Sequence, residues 1–322
     1  MGEADTTHSG QPLVAALGGG HGLAVSLPAI QQLTDRVTAI VGVADDGGSS
    51  GRLRQERGIL PPGDLRIALA ALCDDDAQTR PWVDVLQFRF SDGGELSGHA
   101  LGNLLLSGLW EKTSDPVAGL DELVRLLGCS GRVLPCCVDP LEIVAAIRGH
   151  DGQRLAEVSE VRGQVEVATT RGRVLRVWVE PPQAKACPQA VAAIEAADVI
   201  TLGPGSWFTS VMPHLVLPEI GDAVADSSAT RVLVLNLVEQ EGETGGFTPE
   251  EHLEALKRHA PQVTFDHVIA DSTHIRGGPG RDNLVSACAS WGSEVTFADV
   301  SATADRHDPG KLARVFDTVL SR

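Results

Sequence analysis

Residues 37–66 read VTAIVGVADDGGSSGRLRQERGILPPGDLR, and the fold class turns on how this stretch is parsed. Residues 37–43 form a β-branched apolar run, the pattern of a strand buried on both faces of a parallel sheet. The run breaks into Asp45 and Asp46, a Gly/Ser loop over residues 47–51, and the arginines Arg52 and Arg54. After Leu60-Pro61-Pro62-Gly63 the pattern predicts a helix over about 64–73, with Asp64 at its head and Arg66 in its first turn. Carboxylates, arginines and free backbone N–H groups thus meet at the end of one strand. A phosphorylated ligand, with or without a divalent cation, needs that mixture.

Upstream, residues 13–17 are a short apolar strand that runs into Gly18-Gly19-Gly20-His21-Gly22. Helical spacing follows, with Leu23, Leu27, Ile30 and Leu33 on one face, so the chain opens as a βαβ unit. Its crossover is right-handed by rule, which puts both loops on the rim at the strand C-termini. The glycine turn is not a dinucleotide fingerprint, because the last glycine of G-x-G-x-x-G would fall on Leu23, and no Gly-Lys-Ser/Thr follows for a P-loop. What remains is a glycine-dense strand-to-helix turn that admits close approach to its backbone, against the plainer reading of a tight turn with no ligand.

Downstream, Ser97-Gly98-His99 and Asn103 bring hydroxyl, imidazole and amide groups to a helix start, although a lone histidine there is more often structural. From residue 131 to 181 the texture becomes antiparallel, with one hairpin from 143–148 and 155–158 through a turn at 149–152. A second is expected from 165–170 and 174–179. Parallel texture returns with a strand over 199–202 that ends in Gly203-Pro204-Gly205-Ser206, a second anion-type turn. Asn236 closes the strand over 232–235. Thr248-Pro249 opens a helix with Thr248 as N-cap, and Asp308-Pro309 opens the last one. Arg306 is a candidate phosphate clamp beside the bland reading of a solvated loop charge. Asp45 suits a ribose hydroxyl, Mg2+ or a simple Asx turn; Asp64 suits a ligand or an ordinary N-cap.

Composition narrows the class. The chain has 322 residues, 43% of them apolar, enough for one large α/β core or two smaller ones. Its formal charge of −17, from 26 Lys+Arg against 43 Asp+Glu, repels nucleic acid and anionic lipid. Any anion must therefore be held by local devices. Six cysteines show neither C-x-x-C nor zinc spacing and read as idle thiols of a reducing cytosol. No signal peptide or membrane span is visible, so a cytoplasmic protein without membrane insertion is expected. There is no G-x-S-x-G, no HExxH and no usable Cys/His pair, so covalent hydrolase chemistry finds no support.

The long blocks LGGGHGL at 17–23, VADDGGSSGRL at 43–53, GILPPGDLR at 58–66, LSGHALGNLLL at 96–106, GRVLP at 131–135 and LGPGS at 202–206 carry a resemblance. Together they are similar to the gluconeogenesis-factor (YvcK-type) branch of the CofD-like superfamily, over essentially the whole chain. The resemblance implies a Rossmann-like, mostly parallel α/β sheet flanked by helices, with a small antiparallel insertion. It implies a single nucleotide-binding domain over 13–322, a flexible tail over 1–12, and a β-rich insertion over 131–181. It further implies binding of a UDP-sugar such as UDP-N-acetylglucosamine or UDP-glucose, and a role linking central carbon metabolism to cell-wall synthesis and cell shape, without established catalysis. A homodimer and cell-wall enzyme partners come with that role. The other branch is a Mg2+-dependent 2-phospho-L-lactate transferase with a nucleoside-diphosphate-linked donor, for whose deazaflavin acceptor this chain shows no aromatic shelf.

The expected ligand set is Gly18, Gly19, Gly20, His21, Gly22, Asp45, Asp46, Ser49, Gly63, Asp64, His99, Asn103, Gly203, Pro204, Gly205, Ser206, Asn236 and Arg306. Asp45 and Asp64 are the candidate Mg2+ ligands, and no other cofactor is required. Three departures from the family pattern stand out: His21 where Thr is usual, Ile67 where Asn is common, and Trp207-Phe208 in place of Leu-Tyr.

Overall fold

The computed structural model describes residues 10–74, 76–150 and 157–321. Among the described residues, ten strands follow one another along the chain. The first five are β1 (Val14–Gly18), β2 (Val37–Val41), β3 (Arg132–Pro135), β4 (Glu142–Arg148) and β5 (Val158–Arg162). The rest are β6 (Arg173–Glu180), β7 (Val199–Leu202), β8 (Thr230–Val234), β9 (His267–Asp271) and β10 (Glu294–Ala298). Seven of them build one parallel sheet in the order β10-β9-β8-β7-β1-β2-β3, and the other three a small antiparallel sheet in the order β5-β4-β6. This is the expected α/β class. All five residues of β1 are buried, and Val14 pairs with Val37 on one side and Val199 on the other.

The order holds the key to the site. From β1 the chain moves outward one way to β2 and β3, then returns and moves the other way through β7 to β10. Both sets of crossovers obey one hand, so reversing their direction puts their helices on opposite faces and opens a crevice at β1/β7. Helix α1 (Gly20–Gln31) follows β1, and α2 (Gly48–Arg57) and α3 (Pro62–Leu72) follow β2. On its face of the sheet α1 packs against α3 and the C-terminal helix Pro309–Leu320.

Several expectations need correction. The stretch 47–51 is no loop, because helix α2 starts at Gly48. Its poor intrinsic propensity is offset from outside: Ser50 Oγ accepts from Gly63 N at 3.0 Å, Ser49 is held by His99 and Asn103, and Leu53 is buried. Asp64 sits inside the first turn of α3 rather than at its cap, which is Pro61. The antiparallel texture starts later than residue 131, since β3 belongs to the parallel sheet beside β2. The second hairpin is not formed. Residues 164–168 are a short helix, Gln164–Ala168, and β6 instead pairs with β4. Cys73 and Cys129 are joined by a disulfide with Cα atoms 4.1 Å apart, while Cys136, Cys137, Cys187 and Cys288 are buried free thiols. The tail at 1–9, the end of the 149–152 turn and residues 155–156 lie outside the described residues.

Asp46 explains the helix at 164–168. Its carboxylate accepts from Val165 N at 3.0 Å, across a sequence separation of 119, and so caps that helix from the end of β2. A charged cap on exposed N–H groups is typically worth about 0.5–2 kcal/mol. Asp46→Ala should therefore lower stability by about 1 kcal/mol in urea melts, with the loss concentrated in hydrogen-exchange protection of residues 158–180.

Candidate functional site

At the β1/β7 crevice lies a cleft of about 960 Å3 whose walls include Gly19, His21, Asp64, Pro204, Asn236 and Arg306. The two glycine corners that frame it are in direct contact. A Cβ on Gly22 would land on the Pro204 carbonyl oxygen and 2.7 Å from Gly205 Cα, so only the bare backbone lets α1 lie against the second turn. Gly203 turns there with φ of 76°, a conformation that favours glycine.

The two corners differ in what they offer. Helix α1 begins at Gly20 with no side-chain hydrogen bond at its N-cap, Gly19. The Gly20 amide meets the Asp64 carboxylate, whereas the His21 and Gly22 amides have no partner within the helix and face the cleft side. The second corner has most of its amides occupied. Asn236 Oδ1 accepts from Gly205 N at 2.9 Å, and its Nδ2 donates to Gly205 O at 2.8 Å. Gln240 Oε1 accepts from Trp207 N at 3.1 Å, and the buried Glu243 takes Phe208 N at 2.8 Å and the Thr209 hydroxyl. Asn236, Gln240 and Glu243 thus fix the Pro204-Gly205 turn and the residues after Ser206 from behind, while the first turn of α1 brings the His21 and Gly22 amides to the cleft.

Two carboxylates stand at the floor. Asp45 Oδ1 accepts from Gly47 N at 2.9 Å, an Asx turn that points the rest of the side chain inward, toward Gly63. Asp64 is half-buried beside it. Burial first, and the neighbouring Asp45 second, push its carboxyl up to about 7, with the Gly20 amide pulling the other way. Among the described residues no three His, Cys, Asp or Glu are placed to hold a metal unaided. Two hard oxygen donors nonetheless suit Mg2+, which is usually bound by one or two carboxylates together with ligand phosphates and water.

Of the eighteen residues expected from the sequence, Gly19, Gly20, His21, Gly22, Asp45, Asp64, Pro204, Gly205, Ser206, Asn236 and Arg306 line this cleft. Gly18 and Gly203 end or follow the strands beneath it, and Gly63 backs the floor against Ser50 and Asp45. Ser49, His99 and Asn103 stand apart in a buried network. Ser49 Oγ meets His99 Nδ1 at 2.9 Å and accepts from Asn103 Nδ2 at 3.0 Å, while Asn103 Oδ1 accepts from Arg66 Nε at 2.8 Å. These groups bind α2, α3 and the helix Leu101–Thr113 together. The cleft also includes Gln164 from the insertion, Gln240 and His307, which no local pattern marks.

Comparison with known proteins accords with this geometry. The family model for 2-phospho-L-lactate transferase CofD matches residues 14–296. A putative gluconeogenesis factor of Mycobacterium tuberculosis is 51% identical over 311 residues, which is 96% of this chain and 90% of that protein. The gluconeogenesis factor of Bacillus subtilis is 38% identical over 266 residues, covering 82% of this chain and 80% of the other. A crystal structure of a UPF0052-family protein from Bacillus halodurans has a TM-score of 0.81 at 34% identity, over 95% of this chain and 98% of that one.

Two outcomes test the site's physics. Gly22→Ala forces the corners apart, which should cost about 1–3 kcal/mol in denaturant melts. For Asp64, the folded carboxyl titrates near 7 against an ordinary 3.8, so between these values the unfolded chain has lost a proton that the folded one keeps. Its contribution is full below 3.8 and falls as pH rises to about 7. Asp64→Asn should remove that slope from the pH profile of unfolding and raise stability at pH 8 by at least ~1 kcal/mol.

Proposed function

This chain belongs to the 2-phospho-L-lactate transferase CofD family, together with the gluconeogenesis factors, and from that footing we propose that it is a nucleotide-sugar-binding protein. Its ligand is a UDP-linked sugar of the UDP-N-acetylglucosamine or UDP-glucose type. The observation that carries this reading is the cleft at the strand-order reversal, framed by the touching turns at Gly22 and Pro204-Gly205. Open α/β sheets bind nucleotides at such a point, and about 960 Å3 accommodates base, ribose, diphosphate and sugar. The diphosphate lies against the first turn of α1, where the His21 and Gly22 amides and the helix dipole meet it. Arg306, exposed on the opposite lip, supplies the cationic clamp. In the cell the occupied protein would report sugar-nucleotide supply to cell-wall synthesis and so to cell shape, through contact with cell-wall enzymes and as a homodimer.

One observation favours a second reading. Burial first, and the neighbouring Asp45 second, raise the Asp64 carboxyl, and a divalent cation would relieve the second of these. Both residues would hold Mg2+ beside the diphosphate, and the ion would supply charge neutralisation there. That is what a phospholactate-type transferase with a nucleoside-diphosphate-linked donor needs.

Thermal melts with a nucleotide panel separate the two. UDP-N-acetylglucosamine at a hundred times its Kd should stabilise the protein by about 2.7 kcal/mol, and Arg306→Ala or Asp45→Ala should shrink the shift. Silence toward UDP-sugars, with a clear shift from GDP or GTP only when Mg2+ is present, would replace the sensor by the transferase.

A further inference from the structure

Asp45 lines the cleft, and the next residue, Asp46, lines a separate pocket of about 500 Å3 that shares no residue with it. The walls of this pocket include Gly48, Ser49 and Arg52 of α2. They also include Arg89 and Gly98, from the segment between the helices Arg80–Gln87 and Leu101–Thr113. Both arginines reach the same strap of chain. Arg52 Nη2 donates to the Ser97 carbonyl at 2.6 Å, and Arg89 Nη1 donates to the next carbonyl, that of Gly98, at 3.1 Å. A guanidinium has five N–H donors, so most of them are left over. The strap is itself fixed. Arg89 and Ala100 form an antiparallel bridge, Gly98 N donates to the Phe90 carbonyl at 2.9 Å, and the buried His99 meets Ser49.

Charge sets this place apart. The chain has 43 acidic residues against 26 Lys and Arg, and Arg57, Arg132, Arg162 and Arg173 each take a carboxylate. Among the described residues Arg52 and Arg89 take none, and their side chains bond only the two strap carbonyls. Arg66 is buried nearby on two neutral partners, Asn103 Oδ1 at 2.8 Å and Gln87 Oε1. Burial first, and Arg89 second, pull its guanidinium down to about 10. The one carboxylate in the pocket wall is committed elsewhere: Asp46 Oδ1 accepts from Val165 N, and its Oδ2 sits where a Cβ on Gly163 would collide. Like charges gathered without a counter-ion repel one another, and an anion in the pocket removes that cost.

We propose that this pocket binds a phosphoryl group, free or carried on a small metabolite, clamped between Arg52 and Arg89. A guanidinium fork matches phosphate oxygens bidentately, and two forks from different elements answer both charges of the dianion. The Gly48 and Ser49 amides, which have no partner within α2, add donors to the same wall. A volume of about 500 Å3 also leaves room for the body of a metabolite. The site stands apart from the nucleotide-sugar reading, because its residues are not those of the cleft.

Calorimetric titration of the full chain at low ionic strength with glucose 6-phosphate, inorganic phosphate and glucose tests it. The expected result is binding of the phosphates and none of glucose, with the phosphate affinity weakened about tenfold or more by Arg52→Gln or Arg89→Gln. Arg306→Ala, in the cleft, should leave that affinity unchanged. Tighter binding of glucose 6-phosphate makes the ligand a phosphorylated metabolite, and equal affinities make it free phosphate; both sustain the clamp. Absence of phosphate binding by the wild type overturns the site, as does equal binding of glucose and glucose 6-phosphate. Binding that survives Arg89→Gln, or that Arg306→Ala abolishes, overturns it as well, since the anion then sits elsewhere. Arg89 is exposed, so its variant reads the site should Arg52→Gln not fold.

Discussion

One constraint orders this molecule: strand β1 must be flanked by β2 on one side and β7 on the other, all three running in parallel. Handed crossovers then leave the C-terminal end of β1 uncovered, because the helices on its two sides depart to opposite faces. Everything at the rim follows from that opening. Gly18 ends β1 in the middle of it, α1 leaves from it, and the turn after β7 closes against α1 from the other side. Asn236, at the end of β8, fixes that turn by taking both the N–H and the C=O of Gly205. That leaves Gly205 with both its backbone groups satisfied, while the first turn of α1 keeps amides with no partner within the helix.

A chain carrying a formal −17 meets a diphosphate at a disadvantage, and the cleft shows where the sign is locally changed. The helix dipole and first-turn amides of α1 supply partial positive charge that no distant carboxylate neutralises, and Arg306 adds a full one. Asp45 and Asp64 push the other way. Burial first, and Asp45 second, push the Asp64 carboxyl up to about 7, so near neutral pH it stands between its protonated and ionised forms.

Much of the fold is legible from short-range pattern. The βαβ opening shows in the apolar runs around residues 14–43, and the Thr248 N-cap shows because Pro249 follows it; the structure completes that cap as a box with Glu251. What escaped depends on contacts far away in sequence. Helix α2 is built of glycine and serine and exists because His99, Asn103 and Gly63 hold its serines. The helix at 164–168 carries β-branched residues that suit a strand, and Asp46, 119 residues earlier in the chain, caps it. The cleft was visible through its glycines and carboxylates, which announce themselves by composition. Ser49, His99 and Asn103 carry equally polar side chains yet spend them on one another.

The contact between Gly22 and the Pro204 carbonyl also bears on how such a protein can drift over generations. A side chain at 22 is costly while 203–205 keep their path, and a relaxed path at 203–205 forfeits the Asn236 clamp while 22 stays bare. Each half of the rim is most stable with the other already in place. The two turns, about 180 residues apart along the chain, are therefore energetically coupled, and a lineage that abandons the pair passes through less stable intermediates to do so.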